Sequence, residues 1–144
     1  MKVWRISNHA DLSGTGGKFT AGRWNHLGRS IVYCADHPAL ALLELLVHVD
    51  LQDLPTSYQL LEINLPDGYE PFSPSLPDNW RDDEIGCRHI WEQFCRDGTG
   101  MAMRVPSVIM PYSYNILLNS EHPAILECSI ASITKTPFDQ RLIR

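Results

Sequence analysis

The alternation of apolar and polar residues divides the chain into short extended segments and two helices. Val3 to Ile6 reads as an opening strand. Ser30 to Ala35, rich in β-branched and aromatic residues, predicts a second one. Asp36 is the expected N-cap of a helix, with Pro38 in its first turn, where proline is tolerated. That helix runs through Ala39–Val47 to about His48. Ser57 to Leu65 reads as a strand. Pro66 to Asn79 carries Pro66, Pro71, Pro74 and Pro77, so it is an irregular excursion rather than a linker. Arg81 to Arg96 predicts a second helix, with Ile85, Ile90, Trp91 and Phe94 as core contacts and Gly98 and Gly100 ending it. Met101 to Val105, halted by Pro106, then Tyr114 to Leu118 and Ala124 to Thr134, complete the strands. The pattern is that of one α+β domain over residues 1–144, with no internal repeat.

One polar residue breaks the pattern. Ala39-Leu-Ala-Leu-Leu-Glu-Leu-Leu-Val47 is apolar on every side of its helix except at Glu44. A helix apolar all round is expected to be buried, and a buried carboxylate needs a cation, hydrogen-bond donors or a ligand. A structural ion pair, or a helix exposing that one edge, is the plainer alternative. Gly22-Arg-Trp-Asn25 offers the nearest charge partner. Arg23 either neutralises Glu44 or presents its fork of donors to a phosphate, which arginine binds better than lysine. Tyr33 lies on the strand leading into the Glu44 helix, where it could stack on a flat ring and donate a hydrogen bond, or sit in the core. His48, one turn after Glu44, reads most simply as a cap of the helix C-terminus.

Ser107 and Asn119 are polar residues beside apolar strands and could each aim a donor or acceptor into a pocket. Asn119-Ser120 could equally form a turn before His122-Pro123. Ser13-Gly-Thr-Gly-Gly17 lacks the spacing of a P-loop and reads as a surface loop or a ligand-wrapping one. No Ser/His/Asp order or Cys/His pair suggests nucleophilic catalysis.

Composition narrows the function classes. Twelve Lys and Arg, scattered singly against seventeen acidic residues, give a net charge of −5, which disfavours direct nucleic-acid binding and still permits a small anionic metabolite. Cys34, Cys87, Cys95 and Cys128 form no CxxC pair and read as reduced thiols; Cys87, His89 and Cys95 lack a fourth ligand, so no metal is expected. Met1–Ser7 has no signal-peptide core and no run is long enough to cross a bilayer, so a cytoplasmic protein is expected.

Taken in order, Trp4-Arg5-Ile6, Gly14–Gly17, Gly22-Arg-Trp-Asn25, Gly28, Val32-Tyr33, Ala41-Leu-Leu-Glu44, His48, Val105-Pro-Ser107, Asn115, Leu118-Asn119, His122-Pro123 and Asp139-Gln-Arg-Leu142 resemble the RES domain family over nearly the whole chain. Ala21, Val108 and Ser120 depart from the family's usual residues without removing a functional group. The resemblance implies an ADP-ribosyltransferase-like fold with a mixed β-sheet core. It implies the toxin of a bacterial toxin–antitoxin pair that destroys NAD⁺ at the nicotinamide–ribose bond, using water or phosphate. Some members are reported to transfer ADP-ribose to a protein instead. The implied partners are NAD⁺ as substrate, an Xre-type helix-turn-helix antitoxin covering the active site, and a second copy in a homodimer. Mapped onto this chain, Glu44, Arg23 and Tyr33 would be catalytic. Arg23, Tyr33, Ser107 and Asn119 would line the NAD⁺ site.

Overall fold

The computed structural model describes residues 1–143. Its elements are β1 (Lys2–Ile6), α1 (Gly16–Phe19), β2 (Val32–Ala35), α2 (Pro38–His48), β3 (Ser57–Asn64), α3 (Glu84–Asp97), β4 (Ala102–Pro106), β5 (Tyr114–Leu118) and β6 (Ser129–Pro137). Six strands form one sheet in the order β4-β5-β2-β1-β3-β6. Every neighbouring pair is antiparallel, so the mixed sheet expected from the resemblance is corrected. Parallel pairing is confined to an isolated bridge between Phe72 and Met103 at the β4 edge.

Side chains alternate across a sheet, so β1, β2, β4 and β5 each feed a core on both faces. Val3, Val32, Cys34, Leu61, Ile63, Ile116 and Leu118 pack together on one face, under Leu12, Tyr69 and Ile125. On the other face lie two clusters. Trp24, Trp91 and Phe94 pack on Met103, Val105 and Leu117, with Tyr33 at their margin. Leu40 and Ala41 of α2 pack on Ala35, Trp4 and Ile6. The two longer helices therefore cover the same face, α3 over the β4–β5 end and α2 over β1 and β2.

The joint between β1 and β2 is the weak point of the sheet. These strands share one register pair, Trp4 with Ala35. By contrast β1 and β3 share five, and β2 and β5 share four. A cleft opens at this joint.

Local departures from the sequence reading have physical causes. Asp36 does not cap α2, because its N–H and carboxylate are engaged with the backbone of Tyr114 across the sheet, at 3.0 and 3.2 Å. His37 caps instead, its Nδ1 accepting from the N–H of Ala39. Asp83 caps α3 by accepting from Gly86, and Gly98, at φ +64°, ends it in the left-handed region that glycine adopts without strain. Trp91 and Phe94 are buried as expected, whereas Ile85 is exposed. Pro123–Glu127 forms a 3-10 turn capped by His122, so the last strand starts only at Ser129. The glycine-rich segment leads into the single-turn α1 rather than remaining loop throughout.

Candidate active site

The cleft at the β1–β2 joint has a volume of about 650 Å³. Sites for cofactor-sized ligands span roughly 300–1,000 Å³. Trp4, Arg5 and Ile6 line it from β1 and Tyr33, Cys34 and Ala35 from β2. Residues of both parities reach it because the strands are barely paired there. Glu44 and His48 of α2 form one wall, with Pro106, Val108, Ile109 and Asn115. Thr20 to Trp24 and Glu84 form the opposite wall.

Glu44 is not sealed in the core: its side chain keeps about a quarter of its exposure. The expectation that α2 is buried all round is corrected. Only Leu40 and Ala41 are fully buried, and Val47 is 58% exposed. The carboxylate is held by uncharged donors. Asn115 Nδ2 donates to Oε1 at 2.9 Å, and the Ser107 hydroxyl donates to the same oxygen at 3.2 Å. Ser107 is buried, and its oxygen accepts from the N–H groups of Ile109 and Met110. Ser107 thus backs Glu44 rather than lining the cleft. His48 Nε2 stands 3.9 Å from Oε2, in the last turn of α2.

Arg23 does not pair with Glu44. Its guanidinium donates to the carbonyl of Arg81 at 2.9 Å and approaches that of Trp80 at 3.5 Å. Glu84 is 3.8 Å away. Its charge also lies 5.8 Å from the centre of the Trp80 ring, within cation–π range.

The Gly22-Arg-Trp-Asn25 run is explained residue by residue. Asn25 is fully buried and is the hub of the loop. Its Nδ2 lies 3.2 Å from each of the carbonyls of Gly17, Thr20 and His26, which share its two N–H groups, and its Oδ1 accepts from Gly22 N–H and the Tyr33 hydroxyl. Trp24 is buried and stacks on Trp80. A side chain on Gly22 would place its Cβ 2.5 Å from the Tyr33 hydroxyl, so only glycine fits. The Gly22 carbonyl accepts from Arg88 Nε of α3 at 2.8 Å.

Tyr33 therefore has its hydroxyl committed: it donates to Asn25 at 2.7 Å and accepts from Trp24 N–H at 3.1 Å. Burial pushes its phenol up to about 12. The hydrogen bond to a ligand envisaged from the sequence is not available from this hydroxyl, while the residue itself still lines the cleft. Asn119 is not brought to the site. It ends β5, its N–H donates to the Met101 carbonyl, and its Oδ1 accepts from Glu121 N–H in the plain turn.

Sequence reasoning passed over Asn115 and Arg5 as site residues. Both stood inside the quoted motifs, but nothing local distinguishes a strand asparagine or arginine until the register is known. Arg5 lines the cleft, and among the described residues no carboxylate forms an ion pair with it. All four cysteines are free thiols, and burial pushes Cys34 up to about 12. No group of three or more His, Cys, Asp or Glu side chains gathers as a metal site among the described residues. No described helix is long and apolar enough to cross a membrane.

Comparison with known proteins fits this arrangement. A model of the RES domain matches residues 2–139. The chain is 42% identical to "Toxin Res" of Pseudomonas putida, over 99% of each protein. It is 38% identical to the "Prs ADP-ribosylating toxin" of Sphingobium sp., over 98% of this chain and 96% of that one. "Toxin Res" of Yersinia enterocolitica is 31% identical over 99% of both. The chain belongs to the RES domain family.

Proposed function

We propose that this protein is a toxin that consumes NAD⁺ by breaking the bond between nicotinamide and ribose. The observation that carries the reading is Glu44, an acid held by neutral donors in the wall of a cleft that also holds Arg5 and Arg23. A dinucleotide pyrophosphate needs cations, and a cleaving ribose needs a fixed anion.

The chemistry asks little of a general acid. Nicotinamide leaves as a neutral ring, taking the electron pair of the broken C–N bond, and positive charge is left on the ribose, as in glycoside cleavage. Glu44 stabilises that charge where it develops and can orient the attacking group. Arg23 binds the pyrophosphate or adjacent ribose, with Arg5 as a second cation. The Tyr33 ring packs against nicotinamide, and Ser107 supports Glu44 from behind. Attack by water gives ADP-ribose and a proton; attack by phosphate gives the ribosyl phosphate.

A second reading is transfer of ADP-ribose to a protein, favoured by the name of the Sphingobium relative. The cleavage step is shared and only the acceptor differs. In both readings the protein acts in the cytoplasm as one 144-residue domain. An Xre-type helix-turn-helix antitoxin neutralises it, as the family resemblance implies.

Mass spectrometry of purified protein incubated with NAD⁺, with and without phosphate, tests the proposal. Release of nicotinamide with ADP-ribose or its phosphate ester supports it. Label from NAD⁺ retained on a protein band supports the second reading. Intact NAD⁺ after prolonged incubation refutes both.

A further inference from the structure

We propose that Asn115 is a positioning residue that fixes the orientation of the Glu44 carboxylate toward the substrate. The inference rests on the reading of Glu44 as the charge-stabilising carboxylate.

Asn115 lies on β5, in register with Ala35 of β2 on one side and Val105 of β4 on the other. Neighbours on both sides fix its backbone. Its amide must turn the NH₂ group toward Glu44, because an ionised carboxylate only accepts. Ser107 adds a second constraint. Its oxygen already accepts two backbone N–H groups, so its single O–H goes to Glu44. Both donors converge on Oε1. Oε2 receives no hydrogen bond among the described residues, and the Nε2 of the exposed His48 imidazole stands 3.9 Å from it.

The terminal torsion of a glutamate is broad and nearly two-fold, so an unrestrained carboxylate turns freely. Two donors on one oxygen remove that freedom. They leave Oε2 as the oxygen with unused lone pairs, available to a ribose hydroxyl or an incoming nucleophile. Ser107 alone would leave a single, longer contact. Asn115 is therefore the residue that makes the carboxylate asymmetric, and it acts on the reaction through Glu44.

The experiment compares Asn115→Ala and Asn115→Asp with the natural protein, reading kcat, KM for NAD⁺, the pH profile of kcat and the melting temperature. A hydrogen bond to a charged group is worth about tenfold to a hundredfold, so kcat falls by that factor in both variants. KM changes by less than about threefold, since remote binding contacts are untouched. Asn115→Asp also sets a second carboxylate against Oε1. The coupled pair titrates in two steps, so its kcat profile gains an ionisation absent from Asn115→Ala. Independently of catalysis, its melting temperature drops further below that of the natural protein as pH rises and both acids ionise. Unchanged kcat and profile in both variants overturn the proposal. A pH-independent melting difference for Asn115→Asp overturns the contact itself. Natural protein inert toward NAD⁺ defeats the functional reading first, and this inference with it.

Discussion

The two walls of the cleft hold opposite charges by the same device. On the α2 wall, the Glu44 carboxylate rests on an amide and a hydroxyl. On the facing wall, the Arg23 guanidinium rests on the main-chain carbonyls of Trp80 and Arg81, in the turn before α3, and on the ring of Trp80. Neither charge neutralises the other. A direct pair would have spent both on stability, and removing one partner would then have unfolded the site. Neutral dipoles supply the hydrogen bonds to each group, with Glu84 adding an ion pair of 3.8 Å to Arg23. The difference lies in what anchors the dipoles. Glu44 leans on sheet positions of β5 and the end of β4. Arg23 belongs to a loop whose shape depends on one buried residue, Asn25.

The comparison is broken most severely at Glu44 itself. Glu44→Gln keeps the side-chain shape and both supporting contacts while removing the charge. NAD⁺ turnover should fall by about 10²–10³-fold, on the scale of losing one transition-state electrostatic contact, with an unchanged melting temperature. Near-normal turnover in a product assay would remove the α2 wall from the chemistry.

Next in size is Asn25→Ala. It strips donors from the Gly17 and Thr20 carbonyls and acceptors from Gly22 and Tyr33. A loss of about 3 kcal/mol in denaturant unfolding is expected. A stable, fully active Asn25→Ala protein would show that the loop holds Arg23 without its hub.

Arg23→Ala sharpens the contrast. With no Glu44 pair to lose, its melting temperature should move little, while NAD⁺ affinity by calorimetry should weaken by about tenfold, the worth of a charge-assisted contact. A large stability loss with unchanged affinity would reverse that assignment. Tyr33→Phe removes only a hydroxyl, which costs about 1 kcal/mol in the same unfolding experiment.

A separate test of the buried wall lies at high pH. Burial raises the Tyr33 phenol from 10 to about 12 and the Cys34 thiol from 9 to about 12. Both groups bind their protons more tightly folded than unfolded. Their stabilisation is complete below pH 9 and is lost as pH rises from 9 through 12. Thermal melts across that window should fall steadily, and Cys34→Ala should flatten the early part.

Much of this was legible in the order of residues. The apolar run around Glu44 identified the helix and the anomaly, and the Gly-Arg-Trp-Asn motif identified the facing loop. Strand β2 and the Trp91–Phe94 core of α3 followed from side-chain type. The partner of Glu44 was not legible. Spacing along the chain brought Arg23 to mind, but Asn115 and Ser107 reach Glu44 only through the register of β4, β5 and β2. Caps failed for a similar reason: Asp36 is a good cap by type, yet a cross-strand contact with Tyr114 claims it. Ile85 was misplaced because a hydrophobic period fixes a helix face only once its neighbours are known. Asn119 supports either a pocket lining or a turn by type, and the turn contact to Glu121 is what the fold selects.

The most direct measurement is a crystal structure of the Glu44→Gln protein soaked with NAD⁺, which this slow variant should hold intact. The account predicts the nicotinamide ribose within hydrogen-bond reach of residue 44, the pyrophosphate against Arg23 or Arg5, and nicotinamide beside Tyr33. NAD⁺ bound elsewhere, such as the separate cleft of about 410 Å³ where Arg104 lies over the Tyr114 ring, would contradict it.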